Sequence, residues 1–364
     1  MPYRVASPVS LNHAKEAWIG ARISGQCLVL LPPVTPTESA ALLAHLPKAP
    51  PPSAVIAVFT SGSEGNPKAV FHSEASLQGS TAQVAKWLEA EAGILLTLSP
   101  WSMAGFLLGV VLAESFDTKV YTLSDSPLFS GHEVVPLVEK GSVTKVITHP
   151  YHLKIFQERN MWAGLQETGL TVTSFTAPTP QGMRERADEQ GIVVEVGYGL
   201  SEAAGPVLVE GKTLGAELLL STEGELYLKG LQLMLGYAQG GDFLPLENPF
   251  PTGDIFITAL GCLEWTHRVR EVIDVAGRKV APSYIEKIVL DFLQAGDCLA
   301  YPVADEVYGQ RVALLVEAEE INQDEFQRFL TTAFSPELRP KEWTLVDELP
   351  RLPSGKKNRK FSWS

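Results

Sequence analysis

Between about residues 53 and 200, short runs of β-branched and apolar residues take turns with longer stretches of helical spacing. Residues 54–59, 94–98, 119–123, 145–148, 171–175 and 192–196 read as strands. In the intervening stretch 73–91, Leu77, Val84 and Leu88 recur on one helical face and the pattern stops at Gly93; 150–158 and 180–190 each open on a proline, which a first helical turn accepts. Strand and helix in alternation predict a largely parallel sheet covered on both faces. The apolar stretch 105–113 is cut off by Glu114, a length that suits a buried helix and falls short of the roughly 20 residues needed to span a bilayer.

The period changes after Ala204. Residues 217–221, 225–229, 254–258 and 262–266 read as short strands joined by Gly-containing turns such as Glu223-Gly224 and Leu260-Gly261, which predicts an antiparallel or barrel-like piece appended to the α/β part. From about Val269 a further α+β unit follows: a hairpin around Ala276-Gly277, a helix opening at Pro282, strands near 299–303 and 312–316, and a helix from Asn322. That last helix has its cap in Asn322, Glu325 at the capping-box position, and Phe326, Phe329, Leu330, Ala333 and Phe334 along one face. The expected architecture is α/β: a large N-terminal domain, 1–269, with mostly parallel sheets covered by helices plus the small barrel-like piece, then a small mobile α+β domain, 270–364. Pro47 to Pro52 reads as a linker.

Composition agrees with a folded chain. Of 364 residues, 45% are hydrophobic and 20% charged, so a sizeable core can be buried. The net charge of −13 argues against a partner bound through phosphate neutralisation, so no nucleic acid is expected. The start of the chain lacks a signal-peptide layout, and no membrane partner is expected either. Cys27, Cys262 and Cys298 are odd in number and widely spaced, without a Cys-x-x-Cys pair, which suggests neither a disulfide framework nor a zinc site and points to a reducing, cytoplasmic setting.

The stretch richest in chemistry is Phe59-Thr60-Ser61-Gly62-Ser63-Glu64-Gly65-Asn66-Pro67-Lys68-Ala69-Val70-Phe71-His72. A strand enters a loop of glycines and hydroxyls, a lysine closes it, and a second strand follows. Glycines let backbone N–H groups approach an anion and Lys68 adds charge, so Thr60, Ser61, Gly62, Ser63, Gly65 and Lys68 are candidates for cradling phosphates. It is not a Walker A loop, because Pro67 precedes the lysine and the next residues favour a strand. By composition alone a Ser/Gly-rich surface turn explains it equally well.

Thr60 to Ala69 resembles the phosphate loop of the adenylate-forming enzymes, the superfamily of acyl-CoA synthetases, peptide-synthetase adenylation domains and luciferases. Four further motifs stand in that family's order: Gly197-Tyr198-Gly199-Leu200-Ser201-Glu202; Thr252-Gly253-Asp254; Arg268 followed by Asp274-Val275-Ala276-Gly277-Arg278-Lys279; and Leu352-Pro353-Ser354-Gly355-Lys356-Lys357-Asn358-Arg359. The local wording is most similar to o-succinylbenzoate–CoA ligases. The resemblance implies ATP, Mg²⁺ and coenzyme A as cofactors, a carboxylic acid as substrate, and coenzyme A or a carrier-protein pantetheine as the acceptor thiol. It assigns catalysis to Lys356 and Glu202, Mg²⁺ to Glu202 with Ser201, base stacking to Tyr198, the nucleotide to Gly199 and Ala177, ribose to Asp254, the same sugar or the phosphate to Arg268, the hinge to Arg270, and the thiol channel to Gly277. His72 has a counterpart in the family too, but a lone histidine after a strand reads as packing or hydrogen bonding.

Some positions depart from the family pattern. Glu64 stands where a phosphate-contacting Thr or Ser is usual; one like charge about 4 Å from phosphate costs roughly 4 kcal/mol at an effective dielectric of 20. Phe175-Thr176-Ala177 replaces Gly-Gly-Ala, which would narrow or reshape the pocket. Asp274 replaces a frequent Lys, and Ser102 beside Trp101 takes the place of a pocket His. These changes fit an unusual substrate or a degenerate nucleotide- or acyl-binding protein; a carrier-loading ligase would share every motif. Amino-acid activation would want an Asp near Phe175 to hold the amine, and none is there. Thr60 also comes early compared with the family, so a trimmed N-terminal region is expected, with a more open acyl pocket or a homodimer covering the exposed face.

Overall fold

The computed structural model describes residues 2–60, 67–88, 93–122, 134–140, 142–162, 165, 168–175, 179–293, 296–318, 320–351 and 357–359. The chain divides into two compact units. One comprises Met1–Pro178, Ala187–Leu219 and Tyr227–Pro251; the other comprises Thr179–Arg186, Leu220–Leu226 and Thr252–Ser364.

The alternating stretch forms two sheets of the first unit rather than one. A seven-stranded sheet carries the parallel succession Val120–Thr122, Ile94–Leu96, Lys145–Thr148, Thr171–Ser174 and Val193–Leu200, with Gly205–Val209 and Lys212–Thr213 turned back antiparallel at its edge. Ala54–Thr60 belongs elsewhere. The chain returns from it after a connection too short for a crossover helix, so Lys68–Ser73 must lie antiparallel beside it. Its other edge takes Cys27–Leu30, itself parallel to Tyr3–Ala6, and Gly236–Gln239 then Asp242–Pro245 complete this six-stranded sheet.

The buried helix expected near 105–113 is present as Met103–Phe106, a π-helical Leu107–Leu112 and Ala113–Phe116, with Phe106, Leu107 and Leu108 fully enclosed. Glu74–Leu88 buries Leu77, Val84 and Leu88, the face its spacing marks. The barrel-like expectation resolves into a four-stranded sheet in the linear order Glu217–Leu220, Glu225–Lys229, Phe250–Ala259, Cys262–Arg268.

In the second unit, Arg278–Val280, Ile273–Val275, Gly309–Glu317 and Asp297–Asp305 form a sheet, with Glu342–Val346 parallel to Gly309–Glu317. The helices Pro282–Leu293 and Gln323–Ala333 supply Ile285, Val289, Phe326 and Leu330 to its core. Asn322 caps the second helix by accepting the Glu325 N–H at 3.1 Å, as its sequence position indicates.

Candidate functional site

In the first unit the strand Val193–Leu200 delivers Tyr198 and Gly199, both half-buried, to a tight reversal. A 3₁₀ turn at Ser201–Ala203 and left-handed Ala204 lead into Gly205–Val209. Gly199 faces Pro206 across this hairpin, and a Cβ there would collide with the Gly205 carbonyl. Ser201 and Glu202 sit on this turn.

Three contacts hold that turn. The His72 Nε2–H donates to the Ser201 carbonyl at 2.7 Å, the Met234 N–H donates to the Glu202 carbonyl at 2.8 Å, and the Tyr237 hydroxyl donates to Glu202 Oε1 at 2.8 Å. His72 is fully enclosed, and burial pushes its imidazole down to about 4, against the smaller upward pull of its bond to Ser201. The ring is thus neutral near pH 7, with Nδ1 against the Ser76 hydroxyl at 3.0 Å. It works as a hydrogen-bonding strut, as a lone histidine after a strand should. Lys68 begins the strand Lys68–Ser73, opposite Thr60, and its Nζ lies 5.3 Å from the centroid of the Tyr237 ring.

The second unit holds Asp254, Arg268 and Gly277. Asp254, 2% exposed, sits opposite Arg268 in the antiparallel pair Phe250–Ala259 and Cys262–Arg268. Its Oδ1 accepts from Arg268 Nε and from Trp265 Nε1, each at 3.0 Å, so one of the two oxygens assigned to ribose is engaged by the protein's own donors. Gly277 (φ +84°) and Ala276 (φ 54°) form the two-residue turn between Ile273–Val275 and Arg278–Val280, where both positions need positive φ. A Cβ on Gly277 would meet open space, and its N–H is accepted by Asp274 Oδ1 at 2.7 Å. Asp274, a departure from the family's Lys, is thereby a turn-closing residue.

Ser61, Gly62, Ser63, Glu64, Gly65, Thr176, Ala177 and Lys356 lie outside the described residues. Arg351 and residues 357–359 around Lys356 are described. Arg351 and Lys357 pair as an antiparallel bridge, and both end in a buried cluster of charge. Arg351 meets Asp297 at 2.8 Å; Lys357 meets Asp297 at 2.7 Å and the Cys298 carbonyl at 2.6 Å; Arg359 holds Glu286 through both oxygens. Burial alone would raise the Asp297 carboxyl, but Lys357 and Arg351 outweigh it and hold it below the usual carboxylate range. Ser102, in place of a pocket His, caps the Met103–Phe106 helix by accepting the Gly105 N–H. Phe175 does not stand in open space: its ring is buried, packs on Gly197 and meets Trp87 edge-on with centroids 6.1 Å apart. Phe175 thus makes a core contact beside a strand residue that has no side chain, while Thr176 and Ala177, the rest of the segment expected to narrow or reshape the pocket, lie outside the described residues.

Sequence reasoning missed Tyr237 and Trp265. Tyr237 lies on a four-residue strand, Gly236–Gln239, too short to show a period, whereas Trp265 stands in a recognised strand three residues before Arg268.

The class of protein follows from the chain's own sequence: it belongs to the AMP-binding enzyme family, whose profile matches residues 12–222. Among its relatives, it is 24% identical over 273 residues to 2-succinylbenzoate–CoA ligase of Lactococcus lactis, an alignment covering 70% of this chain and 58% of that one. It is 25% identical over 326 residues to the probable 2-succinylbenzoate–CoA ligase of Mycobacterium tuberculosis, covering 84% and 82% respectively. With oxalate–CoA ligase of Saccharomyces cerevisiae the identity is 31%, but over only 27% of that protein's length. The structure of o-succinylbenzoate–CoA synthetase (MenE) from Bacillus subtilis with ATP and magnesium superposes with a TM-score of 0.76 at 17% identity, over 98% of this chain and 87% of that one. At that identity the likeness establishes the fold.

Proposed function

We propose that this chain is an AMP-forming acyl-CoA synthetase-like ligase. A substrate carboxylate oxygen bonds to the α-phosphorus of ATP as the bond to pyrophosphate breaks. The thiol of coenzyme A then forms a thioester with the acyl carbon as AMP leaves and the thiol proton passes to solvent. The names of the relatives favour an aromatic or dicarboxylic acid of the o-succinylbenzoate type, handled in the cytoplasm. The carrying observation is that Lys68 and Glu202, which come from two motifs distant in sequence, meet around the single side chain of Tyr237, the ammonium 5.3 Å from the ring and the carboxylate 2.8 Å from the hydroxyl. A cation beside an acidic oxygen donor suits a metal–triphosphate.

Glu202 is the residue that would hold Mg²⁺: Oε1 is bonded to Tyr237, and among the described hydrogen bonds none involves Oε2, a hard oxygen donor of the kind the ion takes. When bound, Mg²⁺ neutralises phosphate charge and eases departure of pyrophosphate. Lys68 attracts the phosphate chain, Asp254 and Arg268 serve the sugar, and Lys356 is assigned the charge that develops between carboxylate and α-phosphate. Residues 270–364 act as a lid that reorients about Arg270 between the two steps.

Pyrophosphate exchange into ATP across a panel of carboxylic acids tests this. At least one acid should support exchange, and Lys356→Ala should lower its rate by about 10²–10³-fold, the cost of losing a preorganised transition-state contact. If no acid supports exchange while Glu64→Thr restores it, the chain is a nucleotide- or acyl-binding protein instead. Coenzyme A and a carrier protein are then compared as acceptors of the adenylate.

A further inference from the structure

Tyr237 occupies a position that the motifs do not assign. Its strand, Gly236–Gln239, runs antiparallel to Lys68–Ser73 and places Tyr237 opposite Val70. Lys68 and His72 flank Val70 two residues to either side, so Lys68, Val70 and His72 share one face, and Tyr237 lies on that same face. His72 from this face holds the Ser201 carbonyl, and Tyr237 holds the next residue, Glu202, by its carboxylate. The Ser201–Glu202 turn is therefore gripped at both residues from one surface, and that surface also carries the Lys68 ammonium over the Tyr237 ring.

The chemistry of that contact is directional. A phenol O–H donating to a carboxylate is a charge-assisted bond, which restricts the acid to one orientation and occupies one oxygen only. An ammonium over the aromatic face is attracted by the ring's negative face and draws electron density from the phenol, which strengthens its O–H as a donor. One side chain thus constrains a positive and a negative group that otherwise have separate freedom.

We infer that Tyr237 is a positioning residue of the nucleotide site: its hydroxyl orients Glu202 toward a divalent cation, and its ring supports Lys68 toward the phosphate chain. This rests on the reading of the site as one for a metal–triphosphate. Two separable consequences follow from the two ends of the side chain. The hydroxyl acts on the metal, and the ring acts on the nucleotide.

The test uses the full-length chain and two variants, Tyr237→Phe and Tyr237→Leu. Binding of Mn²⁺ in the presence of α,β-methylene-ATP is followed by loss of the free-ion electron paramagnetic resonance signal. Binding of the same nucleotide in EDTA is followed by calorimetry, and the melting midpoint checks folding. Tyr237→Phe should weaken Mn²⁺ about tenfold, the scale of one charge-assisted hydrogen bond, with metal-free nucleotide affinity unchanged. Tyr237→Leu should weaken Mn²⁺ equally and metal-free nucleotide affinity about threefold as well. In a Glu202→Gln background, Tyr237→Phe should add no further loss of Mn²⁺.

Wild-type-like Mn²⁺ affinity in folded Tyr237→Phe overturns the inference. So does a Tyr237→Phe effect that falls equally on metal and metal-free nucleotide, since a merely structural role predicts that. If the wild type binds nucleotide and the variants behave as wild type, this inference alone is wrong. A wild type that binds no nucleotide removes the functional reading, and the inference with it.

Discussion

Phe175 and Gly197 show how a residue's neighbour decides its meaning. By sequence Phe175 is an intrusion where the family has glycine; in the structure its ring lies on Gly197 beside Trp87, inside the core. A Cβ at residue 197 would overlap that ring. Gly197→Ala should therefore destabilise the first unit by about 1–3 kcal/mol, the usual cost of overpacking, and Phe175→Leu in the same chain should recover part of it. Denaturant midpoints of the single and double variants measure both. Had the ring stood in an open pocket, Gly197→Ala would leave the midpoint unchanged. Lys68, Glu202, Asp254 and Arg268 were legible because each sits in a motif whose order along the chain is itself informative. Tyr237 was not, because its partners Lys68 and Glu202 come from another strand and a turn, and its importance exists only where they meet.

Elements with their own local signals were readable. The helix Pro150–Glu158 begins at its proline, and the hairpin at Ala276-Gly277 follows from two residues at positive φ. Tyr3–Ala6 and Cys27–Leu30 are four residues each, and their strand character depends on a neighbour to pair with. The basic residues around Lys356, legible only as a motif, have a structural part as well: those that are described plug into the second unit. Arg351, Lys357 and Arg359 hold Asp297, Glu286 and Glu317, carboxylates that are all under 9% exposed. Asp297→Asn keeps the shape and removes the charge between Arg351 and Lys357. Breaking a buried pair on one side typically costs about 3–5 kcal/mol, and chemical denaturation of the second unit should show a loss of that order. A loss below about 1 kcal/mol would mean that the cluster behaves as a surface ion pair.

For the whole molecule, the two units should respond to acid over different ranges. His72 is enclosed in the first unit with its pKa lowered to about 4 from 6.5, and burial lowers His152 to about 4 as well. An unfolded chain takes up these protons more readily, so the stability they confer is complete above about pH 6.5 and is lost as pH falls toward 4. For His72 alone that is roughly 3 kcal/mol. Asp297 in the second unit is held below the usual carboxylate range, so its contribution is complete above that range and disappears only when pH falls through the lowered value. Hydrogen exchange read by mass spectrometry at pH 7.5 and pH 5, with labelling times scaled for pH, should show protection lost first around His72 and retained around Asp297; the reverse order would refute the assignment. The sequence alone determined the α/β alternation after residue 53, the change of period after Ala204 and the ordered motifs, because these depend on local spacing and residue type. Tertiary structure decided that the alternating strands divide between two sheets, that Phe175 belongs to the core, and that Tyr237 joins Lys68 to Glu202. Each of those depends on which strand lies beside which, and backbone pairing between distant segments leaves no period in the chain to read.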